Sequence, residues 1–215
     1  MSEGAVAVRA TLTWAGAAIV LATVIPVVEE LFLMFAPSGT SWLYSVVSPS
    51  LAVASAGLLL IAFVVLAFGL RGEPGIAGHS RVGRSALVVF GALTTLTAGY
   101  AALNASMVFT ADGPLAAVYM VLRASESVRV AALVVAAVSV LRVRVLMGPA
   151  RWALPILALA LVGTVVLGWM PFPVTSGVWV WELVAVPATL LLTGVLFLVQ
   201  GLRSPRAIEA PVVSG

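Results

Sequence analysis

Apolar residues occur along this chain in six long runs, which are separated by short polar or glycine-rich links. The runs cover residues 11–36, 50–70, 85–109, 115–141, 152–170 and 178–201. A helix of about 20 apolar residues crosses the hydrocarbon core of a bilayer, and each run reaches that length or comes close to it. The pattern predicts an all-α, polytopic transmembrane bundle over residues 1–201, with a short tail at 202–215.

The arginines predict how the six spans are oriented. The links at residues 71–84 and 142–151 each contain three arginines, whereas the links SGTSWLYSVV, TADGP and PFPVTSG contain neither Arg nor Lys. Cytoplasmic links of membrane proteins carry the excess of positive charge. Both termini are therefore predicted to be cytoplasmic. The first run is too long for the apolar part of a secretory signal, which predicts an uncleaved span.

Composition supports a membrane protein and limits the partners. The chain is 62% hydrophobic and 9% charged, with a mean hydropathy of +1.20, whereas soluble domains carry about 25% charged residues. The net charge of +3 comes with no basic stripe alternating with aromatic residues, so nucleic-acid binding is not predicted. Abundant Ala, Val and Arg without Lys are typical of a high-GC bacterial gene, which predicts a bacterial plasma membrane.

Missing residue types exclude several kinds of chemistry. All eleven basic residues are Arg, so no lysine is present to form a Schiff base with retinal or pyridoxal phosphate. The absence of Cys excludes disulfides and thiolate metal sites. His79 is the only histidine and lies in a glycine-rich link, where a solvated side chain is expected. No metal and no cofactor are predicted, and Glu73-Pro74-Gly75 in the same link predicts a turn.

The fourth run is the most charged, because any span through it must contain Arg123, Glu126 and Arg129. At about 100° per residue these positions lie within an arc of roughly 120°, with Glu126 between the arginines. Each Arg near the centre of a span costs about 2.5–3.5 kcal/mol on insertion scales. This face is therefore predicted to point into the bundle or toward water.

Acidic and polar residues of other spans are the expected partners of this face in the outer half of the membrane. Pro26 and Pro187 are predicted to free backbone carbonyls and to kink the first and last helices near acidic residues. Tyr100 and Asn104 continue a polar stripe on the third span. The predicted charge cluster or ligand site consists of Glu29, Glu30, Tyr100, Asn104, Arg123, Glu126, Arg129 and Glu182.

Three functions fit this cluster. The ion pairs can hold the helices together in a medium where an unpaired charge is costly. The cluster can bind a small solute or ion in a cavity between kinked helices. It can also perform acid–base chemistry on a lipidic or isoprenoid substrate, with Glu30 and Glu182 as the catalytic acids, because neither has a basic residue one helical turn away. The expected partners are the lipid bilayer and either a small solute or another membrane protein.

Two sequence segments resemble known families. The segments LMGPARWALPILALALVG and WELVAVPATLLLTGVLFLVQG resemble an uncharacterised family of six-helix bacterial integral membrane proteins. The matching features are Pro149 and Arg151-Trp152 before an apolar helix, and Glu182 before a last helix that ends at Gly201. This resemblance covers the C-terminal third and implies the six-helix architecture. Trp181-Glu182-Leu183 is similar to membrane terpene cyclases, which implies an acidic residue acting beside aromatic rings.

Overall fold

The computed structural model describes residues 8–35, 41–103, 116–143, 145–146, 148–169 and 184–204, although a few side chains within these helices lie outside the description. The helices are α1 (Arg9–Phe35), α2 (Ser41–Phe68), α3 (Arg81–Leu103), α4 (Ala116–Val143), α5 (Ala153–Trp169) and α6 (Val186–Arg203), with a short 3-10 helix at Gly148–Trp152. Six of the described segments are long and apolar enough to cross a membrane. The predicted all-α bundle of six spans is confirmed.

The helices differ from the predicted runs mainly at their starts. α2 begins at Ser41 rather than at residue 50, and the part of it that is long and apolar enough to cross a membrane is Val47–Phe68. The aromatic and apolar residues after Ser41 continue the helix, and membrane helices tolerate an interior proline such as Pro49. α3 begins at Arg81 rather than at residue 85, because the Ser80 hydroxyl accepts a hydrogen bond from the Gly83 backbone N–H at 3.1 Å and caps the helix.

The last helix is described from its π-helical residues onward. α6 starts at Val186, directly after π-helical residues 184 and 185. Pro187 lies in the first turn of this α-helix. The Leu183 carbonyl, which Pro187 is predicted to leave free, lies outside the described residues. Pro26 lies inside α1, which continues through it.

The six helices form a closed ring. Each helix packs against the helices before and after it in sequence, and α6 also packs against α1. The short 3-10 helix contacts α4, α5 and α6 at one end of this ring. The first and last membrane spans are therefore neighbours, and the interior of the ring is lined by all six helices.

Three glycines allow α1 and α6 to approach closely. A Cβ atom at Gly16 would lie 2.5 Å from the Leu198 backbone nitrogen, and one at Gly201 would lie 2.5 Å from the Thr13 hydroxyl oxygen. A Cβ at Gly194 would lie 2.9 Å from a methyl group of Val20. In lipid the hydrophobic effect does not drive helices together, so van der Waals packing contributes more to their association. Small residues increase this packing because they let two helix backbones approach closely. The seam between α1 and α6 depends on these glycines.

Among the residues whose side chains are described, the buried ones are confined to one half of the ring. The core contains Leu12, Ile19, Phe63, Leu133 and Leu157, all fully buried, and Phe63 packs edge-to-face on Phe90 with ring centroids 4.6 Å apart. We call this the closed half; it lies next to the links at residues 69–80 and 144–152. Its last buried residues along the six helices are Thr23, Ser55, Gly91, Val130, Leu161 and Thr193.

Beyond that level the packing opens. None of the described residues in 24–35, 47–54, 92–100, 117–129, 162–167 and 184–192 is buried. We call these segments the open half. Two polar side chains bridge helices: Thr95 donates to the Ala56 carbonyl at 2.9 Å, and Thr193 donates to the Ala153 carbonyl at 3.3 Å. The ring is thus closely packed at one end and looser at the other.

The first prediction concerns a glycine at the seam between α1 and α6. Gly16→Ala is expected to lower the free energy of unfolding by about 1–3 kcal/mol, because the added methyl group overlaps the α6 backbone. Gly57→Ala is the control, since no atom lies within 4 Å of a Cβ at Gly57, and it is expected to be neutral or stabilising. Unfolding of the purified protein in mixed detergent micelles measures both. Equal effects of the two substitutions would contradict the close approach of α1 and α6.

Candidate functional site

The link between α2 and α3 holds the start of α1 in place. The Glu73 carboxylate accepts hydrogen bonds from the backbone N–H groups of Ala10 at 3.0 Å and Thr11 at 2.8 Å. The Thr11 hydroxyl in turn accepts from the Leu70 N–H at 3.0 Å. The first turn of α1 contains no acidic residue of its own. Because the first N–H groups of a helix have no partner within it, Glu73 caps α1 from a distant part of the chain.

Glycines let this link fold tightly against the helix ends. Gly69 has a φ of +80°, and a Cβ there would overlap the Glu73 carbonyl. The Gly75 backbone lies against the Ala67 carbonyl with no room for a side chain. Ile76 then donates its N–H to the Leu66 carbonyl at 2.8 Å and is fully buried. The link forms the floor of the closed half, whereas His79 lies exposed on its outside.

The second prediction concerns the cap that Glu73 provides at the start of α1. Glu73→Ala is expected to lower the free energy of unfolding by about 1–3 kcal/mol, because two backbone N–H groups lose their acceptor. Glu73→Gln keeps one acceptor oxygen and is expected to lose less. His79→Ala, in the same link but exposed, is the control and is expected to be neutral. Denaturant titration in mixed micelles measures all three, and a neutral Glu73→Ala would show that the cap does not stabilise the fold.

The charged face of α4 begins where the closed half ends. Arg123 and Glu126 form an ion pair one turn apart, with 3.0 Å between the guanidinium nitrogen and the carboxylate oxygen. Both side chains are partly accessible, at 27% and 35%. Because the pair lies within one helix, this contact does not itself join two helices. Arg129 is half-buried one turn nearer the closed half.

Arg129 is the unusual member of this face. Its Nε atom is buried and has no hydrogen-bond partner among the described residues. Glu126 and Arg129 precede Leu133 by seven and four positions, which places them on the helix face that is buried further along α4. The face that packs into the core in the closed half therefore continues as a charged face in the open half.

Of the other predicted site residues, the structure describes the side chains of Glu29 and Tyr100. Glu29 is half-buried on α1 and lines a groove shared with α2, and within the described part it pairs with neither Arg123 nor Arg129. Tyr100 is half-buried near the end of α3. The Glu30 side chain, Asn104 and Glu182 lie outside the described residues. Their membership of the cluster stays a prediction.

Sequence reasoning missed Glu73, because it reads as part of a turn. The signal was present in two places: α1 starts without an acidic residue in its first turn, and Glu73 is the only acidic residue in its link. Among the described residues, no group of three His, Cys, Asp or Glu side chains is placed to hold a metal ion.

Comparisons of the chain with protein families, with curated proteins and with solved structures find no match. The six apolar helices make the chain a multi-pass integral membrane protein.

Proposed function

We propose that this chain is a multi-pass protein of a bacterial plasma membrane whose open half forms a recess that binds a small solute through an anionic group of that solute. The observation that carries the proposal is that the Arg129 Nε is buried without a hydrogen-bond partner among the described residues, as the Arg151 Nε is, and that Arg129 also lies on the inward face of α4. The recess is the space between the open halves of the six helices.

The exposure of inward positions supports a recess. Pro26 follows Ile19 by seven residues, so both lie on one face of α1. Ile19 is fully buried, whereas Pro26 is exposed. No described residue of the open half is buried, including those on inward faces. This exposure of inward positions supports a recess between the open halves of the helices.

The charges favour an anionic group in this space. Arg123 and Glu126 form an ion pair, and the same Glu126 carboxylate also attracts Arg129. This face therefore carries two guanidinium groups and one carboxylate in the described part. A guanidinium binds carboxylate and phosphate groups through two parallel hydrogen bonds. Such a ligand would offset the cost of placing Arg129 at this depth, about 2.5–3.5 kcal/mol on insertion scales.

Orientation follows from the links. The residues at the closed end include the capping link with Arg71, and the 3-10 helix with Arg151. Positive links favour the cytoplasmic side, so we assign the closed half to the cytoplasmic leaflet and both termini to the cytoplasm. The recess then receives its solute from outside the cell.

The third prediction tests binding against a purely structural role. Wild-type protein in detergent is expected to gain thermal stability with at least one of inorganic phosphate, acetate and succinate, by about 2.7 kcal/mol at 100 times the dissociation constant. Arg129→Gln is expected to lose this gain. Arg142→Gln, in the last turn of the same helix and exposed, is the matched control and should keep it.

Stability without ligand distinguishes the two roles independently. If Arg129 binds solute, Arg129→Gln alone is neutral or stabilising, because it removes a buried charge. If Arg129 joins helices through an acidic partner, the same substitution removes about 3–5 kcal/mol. A large loss without ligand, together with no stabilisation of the wild type by any of the three anions, would overturn the proposal.

A further inference from the structure

A groove follows the outer surface of the ring along the seam between α1 and α2. In the closed half it has a volume of about 490 Å³ and is lined by Trp14, Ala17, Leu21, Ile61 and Arg71 among others. In the open half a second groove of about 480 Å³ continues the seam between Val24 and Phe32 of α1 and the start of α2. We call the two together the α1–α2 groove.

This groove faces away from the interior of the ring. Trp14, Leu21 and Ile61 are 61%, 54% and 57% exposed. Leu12 and Ile19, on the opposite side of α1, are fully buried. Large apolar side chains exposed on a membrane-spanning ring are covered by lipid, so the occupant of the groove is in contact with the hydrocarbon.

The closed-half groove has the length of part of one leaflet. Trp14 and Leu21, both in its lining, are seven positions apart, which corresponds to about 10 Å along a helix. One leaflet contributes about half of the roughly 30 Å hydrocarbon core of a bilayer. Ala17 and Ala18 have small side chains, which leave space on the α1 side of the closed-half groove. An acyl chain lying along the helices therefore fits its shape.

A positive charge stands at one end of this apolar groove. Arg71 lines the mouth and is exposed. Its φ of +53° lies in the left-handed region. This conformation costs free energy for most residues that have a side chain, although Asn tolerates it. The turn between Gly69 and Gly72, both with a φ of +80°, holds it there.

Among the described residues, Arg71 forms no ion pair with Glu73. Glu73 lies two positions further along the chain, and both of its carboxylate oxygens accept hydrogen bonds from the first turn of α1. Trp14 in the same groove is a side chain typical of the membrane interface. The groove thus combines an apolar channel, an interfacial aromatic ring and an available guanidinium at one end.

We propose that the α1–α2 groove is a binding site for an anionic phospholipid of the leaflet at the arginine-rich end of the ring. Arg71 holds the phosphate, Trp14 lies at the glycerol level, and one acyl chain occupies the groove. A lipid is favoured over free phosphate because the Arg71 guanidinium lies beside an apolar groove, which an acyl chain can fill. This site is independent of the recess before Arg129.

The fourth prediction compares lipids that differ in charge. In detergent, dioleoyl phosphatidylglycerol is expected to raise the melting temperature of the wild type more than dioleoyl phosphatidylcholine does. Arg71→Asn is expected to raise, about fivefold, the phosphatidylglycerol concentration that gives half of the maximal rise in melting temperature, because one arginine at the membrane surface is lost. Arg71→Lys should keep most of the effect. Because Asn tolerates a positive φ, Arg71→Asn should fold as well as the wild type without lipid.

Two further variants test the apolar part of the site. Ala17→Phe fills the groove and is expected to reduce the phosphatidylglycerol effect. Ala124→Phe, at an exposed alanine on α4, is the matched control and should not. Equal effects of the two lipids on the wild type would overturn the proposal. So would an equal shift from inorganic phosphate alone, an unchanged response in Arg71→Asn, or an Ala17→Phe response equal to that of Ala124→Phe.

Discussion

Two hydrogen bonds from the first turn of α1 to the Glu73 carboxylate, at 3.0 and 2.8 Å, fix the end of the ring where packing is closest. A helix that starts at the membrane boundary needs acceptors for its first N–H groups. The link that supplies them also buries Ile76 and Ala77 between the helices. One short link therefore positions α1, α2 and α3 relative to one another, and the closed half is built around it.

The number and type of the membrane spans could be predicted from the sequence because hydrophobic length is a local property. Helix starts were harder: Ser80 caps α3 through its own hydroxyl, and Trp42 lies inside α2 although its neighbours include several polar residues. Long-range contacts could not be predicted. The partners of Glu73 are 62 and 63 residues away in sequence, and nothing in helical periodicity specifies which helix Gly16 approaches.

The candidate site shows the same division between local and distant information. Helical spacing predicts that Arg123, Glu126 and Arg129 lie close on α4, and the Arg123–Glu126 pair forms at 3.0 Å. The pairing of Glu29 depends on how α1 is rotated against its neighbours, which no single run reveals. That rotation directs Glu29 toward a groove shared with α2. The order of helices around the ring decides which charges can meet.

The contact between α1 and α6 has a consequence for synthesis of the chain. Gly16 and Gly194 are 178 positions apart, and at about 5–20 residues per second a ribosome needs roughly 9–36 seconds to make the intervening segment. During that time the glycine face of the first span has no native partner and is covered by lipid or by the insertion machinery. The nascent protein therefore passes through a stage in which this close helix contact is still missing.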